Sequence, residues 1–142
     1  MTEQALPPMD KLAFETLANF RYEIRKFLRF SENVTRKAGI TPLQYLMLLN
    51  IKGYPGRDWA TVGELAERLQ AQHHGVVALV SRCEKQGFVE RRRSTEDRRR
   101  IEVRLLPKGE DYVERLANAH RVQLSALNGR FSVPTAATFD RT

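Results

Sequence analysis

Arginine dominates one short stretch of the sequence. Six of the ten residues at positions 91–100 are arginines, namely Arg91, Arg92, Arg93, Arg98, Arg99 and Arg100. Like charges on paired strands repel one another, so a fold that keeps these guanidinium groups together needs anions to receive them. The phosphates of a nucleic acid are such anions. The competing interpretation is a solvated edge hairpin that uses its charge to resist aggregation, but the preceding residues favour a nucleic acid.

The segment before the arginines carries side chains that can read base edges. They are Gln72, His73, His74, Gly75, Ala78, Ser81 and Arg82. Glutamine can pair with adenine, arginine with guanine, and alanine can contact the methyl group of thymine. For Arg82 two interpretations are equally favoured. One is a base contact, and the other is an ion pair with a neighbouring acid or a phosphate contact.

Two short helices are predicted to position these side chains. Thr61 and Glu64 form the T-x-x-E pattern of a capping box, which starts the first helix. A polar connection at residues 70–72 leads to a second helix at about residues 73–86. The predicted buried stripe of this second helix consists of Val76, Val77, Val80 and Cys83. Gly87 ends the helix, because glycine accepts the left-handed conformation of a helix end.

A hairpin is predicted to carry the arginines. Residues 88–92 and 100–105 alternate roughly as strands around a polar loop, and residues 59–61 are a candidate third strand. Two helices joined by a tight turn and followed by a basic hairpin suit DNA better than other common ligands. The second helix is therefore the candidate recognition helix for the major groove.

These segments resemble the MarR family of bacterial winged helix–turn–helix regulators. The resemblance rests on GELAERL at residues 63–69, LVSRCEKQGFV at 79–89, DRR at 97–99 and PKG at 107–109. It implies a homodimeric repressor or activator that binds double-stranded DNA at a pseudo-palindromic operator and whose DNA affinity is tuned by a small ligand or by oxidation. It also implies that Asp97 braces the wing and that Arg99 enters the minor groove, where a narrow groove concentrates negative potential. Arg98 is expected to reach phosphate, and Arg92 is a further candidate for DNA contact.

The remaining chain is predicted to supply a helical dimerisation body. Residues 1–40 contain a long helix at about 9–33, and residues 107–129 contain another at about 111–127. Residues 41–106 form the winged lobe, which begins with Thr41 and Pro42 as a helix start. The resembled family has a capping threonine where this chain has Leu106. Beyond Gly129 the helical pattern fails, so residues 130–142 are predicted to be an irregular tail.

An effector cleft is predicted where the body meets the lobe. Its candidate residues are Phe20, Phe27, Tyr45 and His120. Phe14, Tyr22 and Met47 are weaker candidates, because aromatic residues at helical spacing more often form plain core. A small aromatic or amphipathic ligand would suit such a cleft, and the basic Arg21 and Arg25 would favour an acid.

Metal binding, redox sensing and catalysis are disfavoured. Adjacent helical side chains such as His73 and His74 diverge by about 100°, so they cannot share one ion comfortably. Cys83 is predicted to be packed and inert, whereas a reactive thiol must be exposed and have a low pKa. The sequence has no phosphate-binding glycine loop and no nucleophile–base pair, so it does not indicate an enzyme.

Composition agrees with a DNA-binding regulator. The 142 residues carry a net charge of +7, which favours an anionic partner, and 42% are hydrophobic, as in a folded domain. No apolar run reaches membrane-spanning length, and a single cysteine fits a reducing compartment, so we expect a cytoplasmic protein without cofactors. The predicted fold class is mainly α with a small β wing. The rival function is a winged-helix module that binds proteins and binds DNA only weakly.

Overall fold

The computed structural model describes residues 6–127 and 132–139. Within these ranges the elements follow one another as α1 (Lys11–Lys37), α2 (Pro42–Lys52), β1 (Trp59–Ala60), α3 (Val62–Leu69), α4 (His73–Lys85), β2 (Val89–Arg93), β3 (Ile101–Leu105), α5 (Pro107–Ala126) and α6 (Ala136–Phe139). We call α2 to β3 the winged lobe, and α1 with α5 the helical body. The predicted fold class is confirmed: the chain is mainly helical with one small antiparallel sheet.

Helix α1 is shifted from its predicted limits of about residues 9 and 33. The Asp10 carboxylate accepts the backbone N–H of Ala13 at 2.8 Å, which caps the helix start. The helix continues to Lys37 because its last turns enter the lobe, where Thr35 is fully buried and Val34 packs against the core. Gly39, with φ of 83°, then ends the turn.

Helix α2 lies at the centre of the lobe. Its predicted start is confirmed, because the Thr41 hydroxyl accepts the Gln44 N–H at 3.1 Å and the Gln44 side chain accepts the Thr41 N–H at 2.9 Å. Met47, Leu48 and Ile51 are fully buried. Not every leucine of α2 is covered, since Leu43 and Leu46 are each 42% exposed. Gln44 and Tyr45 are buried instead.

Helices α3 and α4 form the predicted helix–turn–helix. The Thr61–Glu64 capping box is present, and Gln70 makes the turn with φ of 51°. Helix α4 buries Val76, Val80 and Cys83 as predicted, but Val77 is 37% exposed, and Leu79 is buried in its place. Successive residues rotate by about 100° around a helix, so Val77 cannot share the face of Val76 and Val80.

The sheet has the strand order β1–β3–β2, and all neighbours are antiparallel. Trp59 pairs with Arg104, which confirms the predicted third strand, while Val89 pairs with Leu105 and Arg93 with Ile101. Strands β2 and β3 each begin one residue later than predicted, at Val89 and Ile101. Such offsets are ordinary at element ends.

Helix α5 begins at Pro107 and not near residue 111 as predicted. Leu106 offers no side-chain cap, but Pro107 occupies the first helical position, where its fixed φ favours a helix. The Leu106 N–H donates to the Phe88 carbonyl at 2.9 Å. The start is docked so closely that a Cβ on Gly109 would lie 2.2 Å from the same oxygen. These tertiary contacts anchor the start of α5, although they supply no acceptor of the kind that a capping side chain provides.

The tail was predicted to be irregular. Of residues 130–142 the structure describes 132–139, and there the prediction is wrong at Ala136–Phe139, which form the short helix α6. The Thr138 hydroxyl accepts the Thr135 N–H at 3.1 Å, a local bond that starts this turn. Gly129 and the predicted end of the helical pattern there lie outside the described residues.

Candidate nucleic-acid interface

Helix α4 presents an uncovered polar face. Its buried residues centre on Val76 and Cys83. Because successive residues rotate by about 100° around a helix, His74, Ala78 and Lys85 lie on the opposite side. The predicted contact residues Gln72, His73, His74, Gly75, Ala78 and Arg82 are all exposed, while Ser81 is half-buried. Gln72 is the N-cap residue of α4, yet its side chain makes no capping hydrogen bond. Its amide is therefore available to an external group.

Two interpretations of Arg82 were left open from the sequence. Its side chain is exposed, and among the described residues it makes no ion pair with a carboxylate. The ion-pair interpretation therefore has no support in this structure. Contact with a base and contact with a phosphate both remain compatible with its position on the flank of the exposed face.

The turn of the hairpin is built on Ser94, which sequence analysis missed. Its side chain is 4% exposed, and its hydroxyl accepts the N–H groups of Glu96 at 3.1 Å and Asp97 at 3.2 Å. The Arg100 guanidinium donates to the same oxygen at 2.9 Å, and the Ser94 N–H donates to the Arg100 carbonyl at 2.9 Å. A serine beginning a polar loop was the available signal, because its hydroxyl can bond the backbone of the next residues.

Asp97 and Arg99 stand together at the tip. The Asp97 carboxylate accepts the Arg99 N–H at 3.0 Å and lies 3.6 Å from Nε of Arg99. The Arg99 side chain is nevertheless 94% exposed, so this ion pair contributes little stability. The carboxylate shapes the backbone of the turn, while the guanidinium projects into solvent.

The six arginines of the hairpin divide into two sets. Arg91 and Arg100 are turned inward, with side chains 28% and 30% exposed. Arg92, Arg93, Arg98 and Arg99 are exposed, although Arg92 also pairs with Glu90 at 2.5 Å. The prediction that the whole cluster awaits phosphates is therefore too broad, because Arg91 and Arg100 are turned inward and held by several partners within the chain.

Arg100 belongs to a stacked arrangement under the wing. Its guanidinium lies 4.5 Å from the centre of the Trp59 ring and donates to Glu102 at 3.1 Å. Arg104 donates to the same carboxylate at 2.7 Å. Burial would raise the pKa of Glu102, but the hydrogen bonds from Arg104 and Arg100 outweigh it and lower that pKa. The carboxylate therefore stays ionised and holds both arginines.

The start of α3 is fixed by a second group of polar contacts. Glu64 accepts the Thr61 N–H at 2.9 Å and the Tyr54 hydroxyl at 2.7 Å, and it pairs with Arg57. Burial alone would raise the pKa of Glu64, but these hydrogen bonds lower it to about 2. The Arg57 guanidinium also stacks 3.8 Å from the centre of the Trp59 ring, which joins this group to the sheet.

A notch of about 450 Å³ separates the wing from the helix–turn–helix. Its lining comes from the start of α3, from His73, and from the wing at Asp97 and Arg99. The notch brings one end of the candidate recognition helix close to the wing tip. It thus places residues far apart in sequence on one continuous surface.

A larger hollow of about 960 Å³ lies between α1, α2 and α5. Three predicted effector residues, Phe27, Tyr45 and His120, line it, whereas Phe20 does not. Among the weaker candidates, Met47 is fully buried in the lobe core, and Phe14 and Tyr22 are each 58% exposed. The basic Arg21 and Arg25 do not line this hollow, but Arg121 does.

His120 ties the walls of this hollow together. Its ring stacks on Tyr45 with centroids 4.7 Å apart and an interplanar angle of 8°. Nδ1 lies 2.6 Å from the Leu116 carbonyl, and Nε2 lies 2.8 Å from the Ser31 hydroxyl. A carbonyl only accepts, so Nδ1 carries a proton and donates to Leu116, while Nε2 shares a hydrogen bond with the Ser31 hydroxyl.

The described residues contain no cluster of three or more histidine, cysteine or carboxylate side chains that could hold a metal ion. Cys83 is fully buried, and burial raises its pKa to about 11, so it is a protonated thiol at neutral pH. In the same ranges no helix is both long and apolar enough to cross a bilayer.

The fold and this interface define a winged helix–turn–helix protein. The MarR family model matches residues 38–100. A protein of Thauera aromatica, provisionally assigned as the transcriptional regulatory protein for the hcr operon, is 30% identical over 112 residues, which cover 79% of this chain and 66% of the relative. The HTH-type transcriptional repressor MdtR of Bacillus subtilis (strain 168) is 31% identical over 74 residues, which cover 52% of this chain and 46% of MdtR.

A solved MarR family protein from Bacillus stearothermophilus has the same fold. It superposes with a TM-score of 0.73 at 25% identity, covering 88% of this chain and 86% of that one. The chain belongs to the MarR family, whose members are transcriptional regulators and not enzymes. Its match spans no more than about two thirds of the length of either relative above.

Proposed function

We propose that this chain is a sequence-specific DNA-binding repressor that acts as a homodimer on a pseudo-palindromic operator. The observation that carries the proposal is the pairing of an uncovered polar face on α4 with the 94% exposed guanidinium of Arg99 beside it. An α-helix fits the major groove, and an arginine suits a narrow minor groove. A cytoplasmic location is part of the proposal, because that is where a bacterial chromosome lies.

Each contact residue has a role in this proposal. Gln72, His73, His74, Gly75, Ala78, Ser81 and Arg82 face the major groove. Arg92 and Arg98 contact phosphates, which fix the register of the protein on DNA without reading sequence. Arg99 reads the width and potential of the minor groove, and Asp97 holds the turn that presents it.

Dimerisation is supported by apolar surface on the helical body. On α1 and α5 the side chains of Leu12, Phe14, Leu17, Leu28, Val122 and Leu124 are between 38% and 69% exposed. A second copy of the chain would cover this surface and place the two recognition helices at the spacing of the two half-sites of an operator. Sedimentation at micromolar concentration should therefore show a dimer, and a monomer that binds a full operator tightly would contradict this part of the proposal.

Control by a small aromatic or amphipathic ligand is supported by the hollow between α1, α2 and α5. Its wall is apolar at Phe27 and Leu124 and polar at Ser31 and Arg121, which suits a ring that carries an acid. A ligand that binds one spacing of the recognition helices better than another would shift the population and change DNA affinity. Screening aromatic acids against the protein–operator complex tests this part, and a screen in which no compound changes affinity would count against it.

The central test begins with selection of bound sites from random duplex DNA. Variants are then titrated against the selected operator and a scrambled duplex at several salt concentrations. Arg99→Ala should weaken operator binding by about 1–3 kcal/mol per half-site at most and lower the salt slope by roughly one. Asp97→Ala should act in the same direction but more weakly.

Gln72→Ala and His74→Ala supply the contrast, because they should flatten sequence preference while the salt slope barely moves. Wild-type affinity and salt slope in Arg99→Ala would mean that the hairpin is not a DNA-reading wing. A protein-binding winged helix would then be the better interpretation, and the selection would return no preferred duplex.

A further inference from the structure

We infer that Arg91 is a positioning residue that fixes the wing to the recognition helix and does not itself contact DNA. The inference rests on the proposed function, since positioning matters only if both parts meet one operator. It departs from the sequence pattern, in which Arg91 is one member of a basic cluster. The contacts of Arg91 distinguish it from the exposed members of that cluster.

The backbone of Arg91 lies in strand β2, and its side chain reaches helix α4. Its backbone N–H donates to the Glu84 carboxylate at 3.1 Å, and its Nη1 donates to the other carboxylate oxygen at 3.0 Å. Its Nη2 donates to the Ser81 hydroxyl at 3.0 Å and to the Val77 carbonyl at 3.2 Å. Four hydrogen bonds from one residue thus connect the first strand of the wing to the helix.

The acceptors form a stripe along α4. Val77, Ser81 and Glu84 follow one another at steps of four and three residues, so they lie on one side of the helix across two turns. A planar guanidinium with several fixed donors can engage such a stripe at more than one point. Contacts on successive turns resist both rotation of the helix and its sliding relative to the strand, which a single hydrogen bond would not.

The same contacts remove Arg91 from the DNA-facing set. Both of its terminal nitrogens already donate within the chain, and the side chain is 28% exposed. Its neighbour Arg92 pairs only with Glu90 among the described residues and is 59% exposed. Arg92 is therefore the natural matched control, because it carries the same charge one residue along the same strand.

Positioning has a defined consequence for recognition. Arg99 can serve the minor groove only while α4 occupies the adjacent major groove, so the two must keep a fixed separation. Arg91 supplies that separation from within the folded chain. Ser81 is also engaged by Arg91, so it is less available to bases than exposed residues such as Gln72, His74 and Arg82.

The first experiment compares Arg91→Ala with Arg92→Ala on the selected operator. Arg91→Ala should weaken binding about three- to tenfold per half-site and lower the salt slope by less than one, because it forfeits only part of the contribution of Arg99. Arg92→Ala should lower the salt slope by about one, as the loss of a phosphate contact does. If Arg91→Ala lowers the slope by about one even when Arg99 is already alanine, Arg91 contacts phosphate itself and the inference is overturned.

A double-mutant cycle tests whether Arg91 acts through Arg99 or independently of it. In the Arg99→Ala background, Arg91→Ala should cost less than half of the fold-change that it costs in the wild type, because there is no longer a minor-groove contact to position. Additive losses would contradict the inference. Arg91→Lys, which keeps the charge but not the planar fork, should restore little of the lost affinity.

For Glu84→Ala, the inference predicts a change in operator affinity opposite to the change that simple electrostatics predicts. Removing a carboxylate beside DNA should strengthen binding if charge alone matters. If Glu84 holds Arg91 in place, Glu84→Ala should instead weaken operator binding. The affinity of Glu84→Gln, whose amide oxygen still accepts the Arg91 N–H, should lie between those of the wild type and Glu84→Ala. Tighter operator binding by Glu84→Ala would overturn the inference.

A measurement without DNA keeps this inference distinguishable from the proposed function. Spin labels at Thr95→Cys and Lys85→Cys, both exposed sites, report the distance from wing tip to α4 in a Cys83→Ser background diluted with unlabelled protein. Arg91→Ala should broaden that distance distribution, and Arg92→Ala should not. An unchanged distribution would overturn the inference. If the wild type selects no duplex, the proposed function fails, and this distance still decides whether Arg91 fixes the wing.

Discussion

The winged lobe and the helical body differ in how completely one chain covers its apolar side chains. In the lobe, Met47, Leu48 and Ile51 are fully buried, whereas in the body Phe14 is 58% exposed and Leu28 is 57% exposed. The lobe therefore contains most of the hydrophobic core, which Val113 and Leu116 of α5 help to complete. In the body, apolar side chains are packed on one side of the helices and exposed on the other. Exposed apolar patches of this kind mark interaction surfaces.

The polar contacts of the two regions differ in the same way. Glu64, Ser94 and Glu102 each bind two or more partners inside the lobe, and they hold the surfaces that present Arg99 and α4. In the body, the long-range hydrogen bond between His120 and Ser31 joins α5 to α1. The described polar contacts of the lobe are thus more numerous within one chain than those that join the two helices of the body.

The largest expected effect is a core truncation in the lobe. Leu48→Ala should lower the free energy of unfolding by about 2–5 kcal/mol, because it removes fully buried methyl groups and leaves a cavity. Leu28→Ala in the body is the matched control, which should cost less than about 1 kcal/mol per chain but weaken self-association. Urea unfolding and sedimentation measure the two effects, and equal losses of stability would erase the contrast between the regions.

Cys83 probes the lobe core with a smaller change. Cys83→Ser should lower the free energy of unfolding by about 1–3 kcal/mol, because a hydroxyl replaces a thiol at a fully buried position. The raised pKa of about 11 keeps the thiol protonated, so peroxide should leave DNA binding unchanged in the wild type. Release of DNA by peroxide that disappears in Cys83→Ser would contradict this prediction.

Glu64 gives the lobe an acid-sensitive contribution. Its pKa falls from 4.5 to about 2 on folding, so the unfolded chain binds its proton at a higher pH than the folded chain does. The contribution is therefore fully present above pH 5 and is lost as pH falls towards 2. Glu64→Gln should lower the free energy of unfolding by about 1–2 kcal/mol near neutral pH, and it should reduce the loss of stability between pH 5 and 2. Identical pH profiles for the two proteins would exclude this role.

The smallest expected effect belongs to the body. Ser31→Ala removes the partner of His120 Nε2 and should lower the free energy of unfolding by about 1 kcal/mol. Ser31→Thr, which keeps the hydroxyl, is the control. A loss as large as that of Leu48→Ala would mean that the body is as tightly determined within one chain as the lobe.

Local signals in the sequence predicted the elements of the lobe well. The capping boxes at Thr41 and Thr61 need only residues three positions apart, and Gly87 ends α4 through its own backbone, with φ of 80°. Where a tertiary contact decides an element, the prediction was wrong. The start of α5 depends on the docking of Leu106 and Gly109 against Phe88, and no local pattern encodes that docking.

By itself the sequence determined the order of the helices and strands, the family, and which segment could face DNA. Periodicity, capping residues and charge carry that information over short distances. Only the tertiary structure decided which arginines of one basic cluster stay free, because the roles of Arg91 and Arg99 depend on partners that folding brings near. Glu84 and Ser81 reach Arg91 only when β2 lies along α4, so two chemically identical residues receive different tasks.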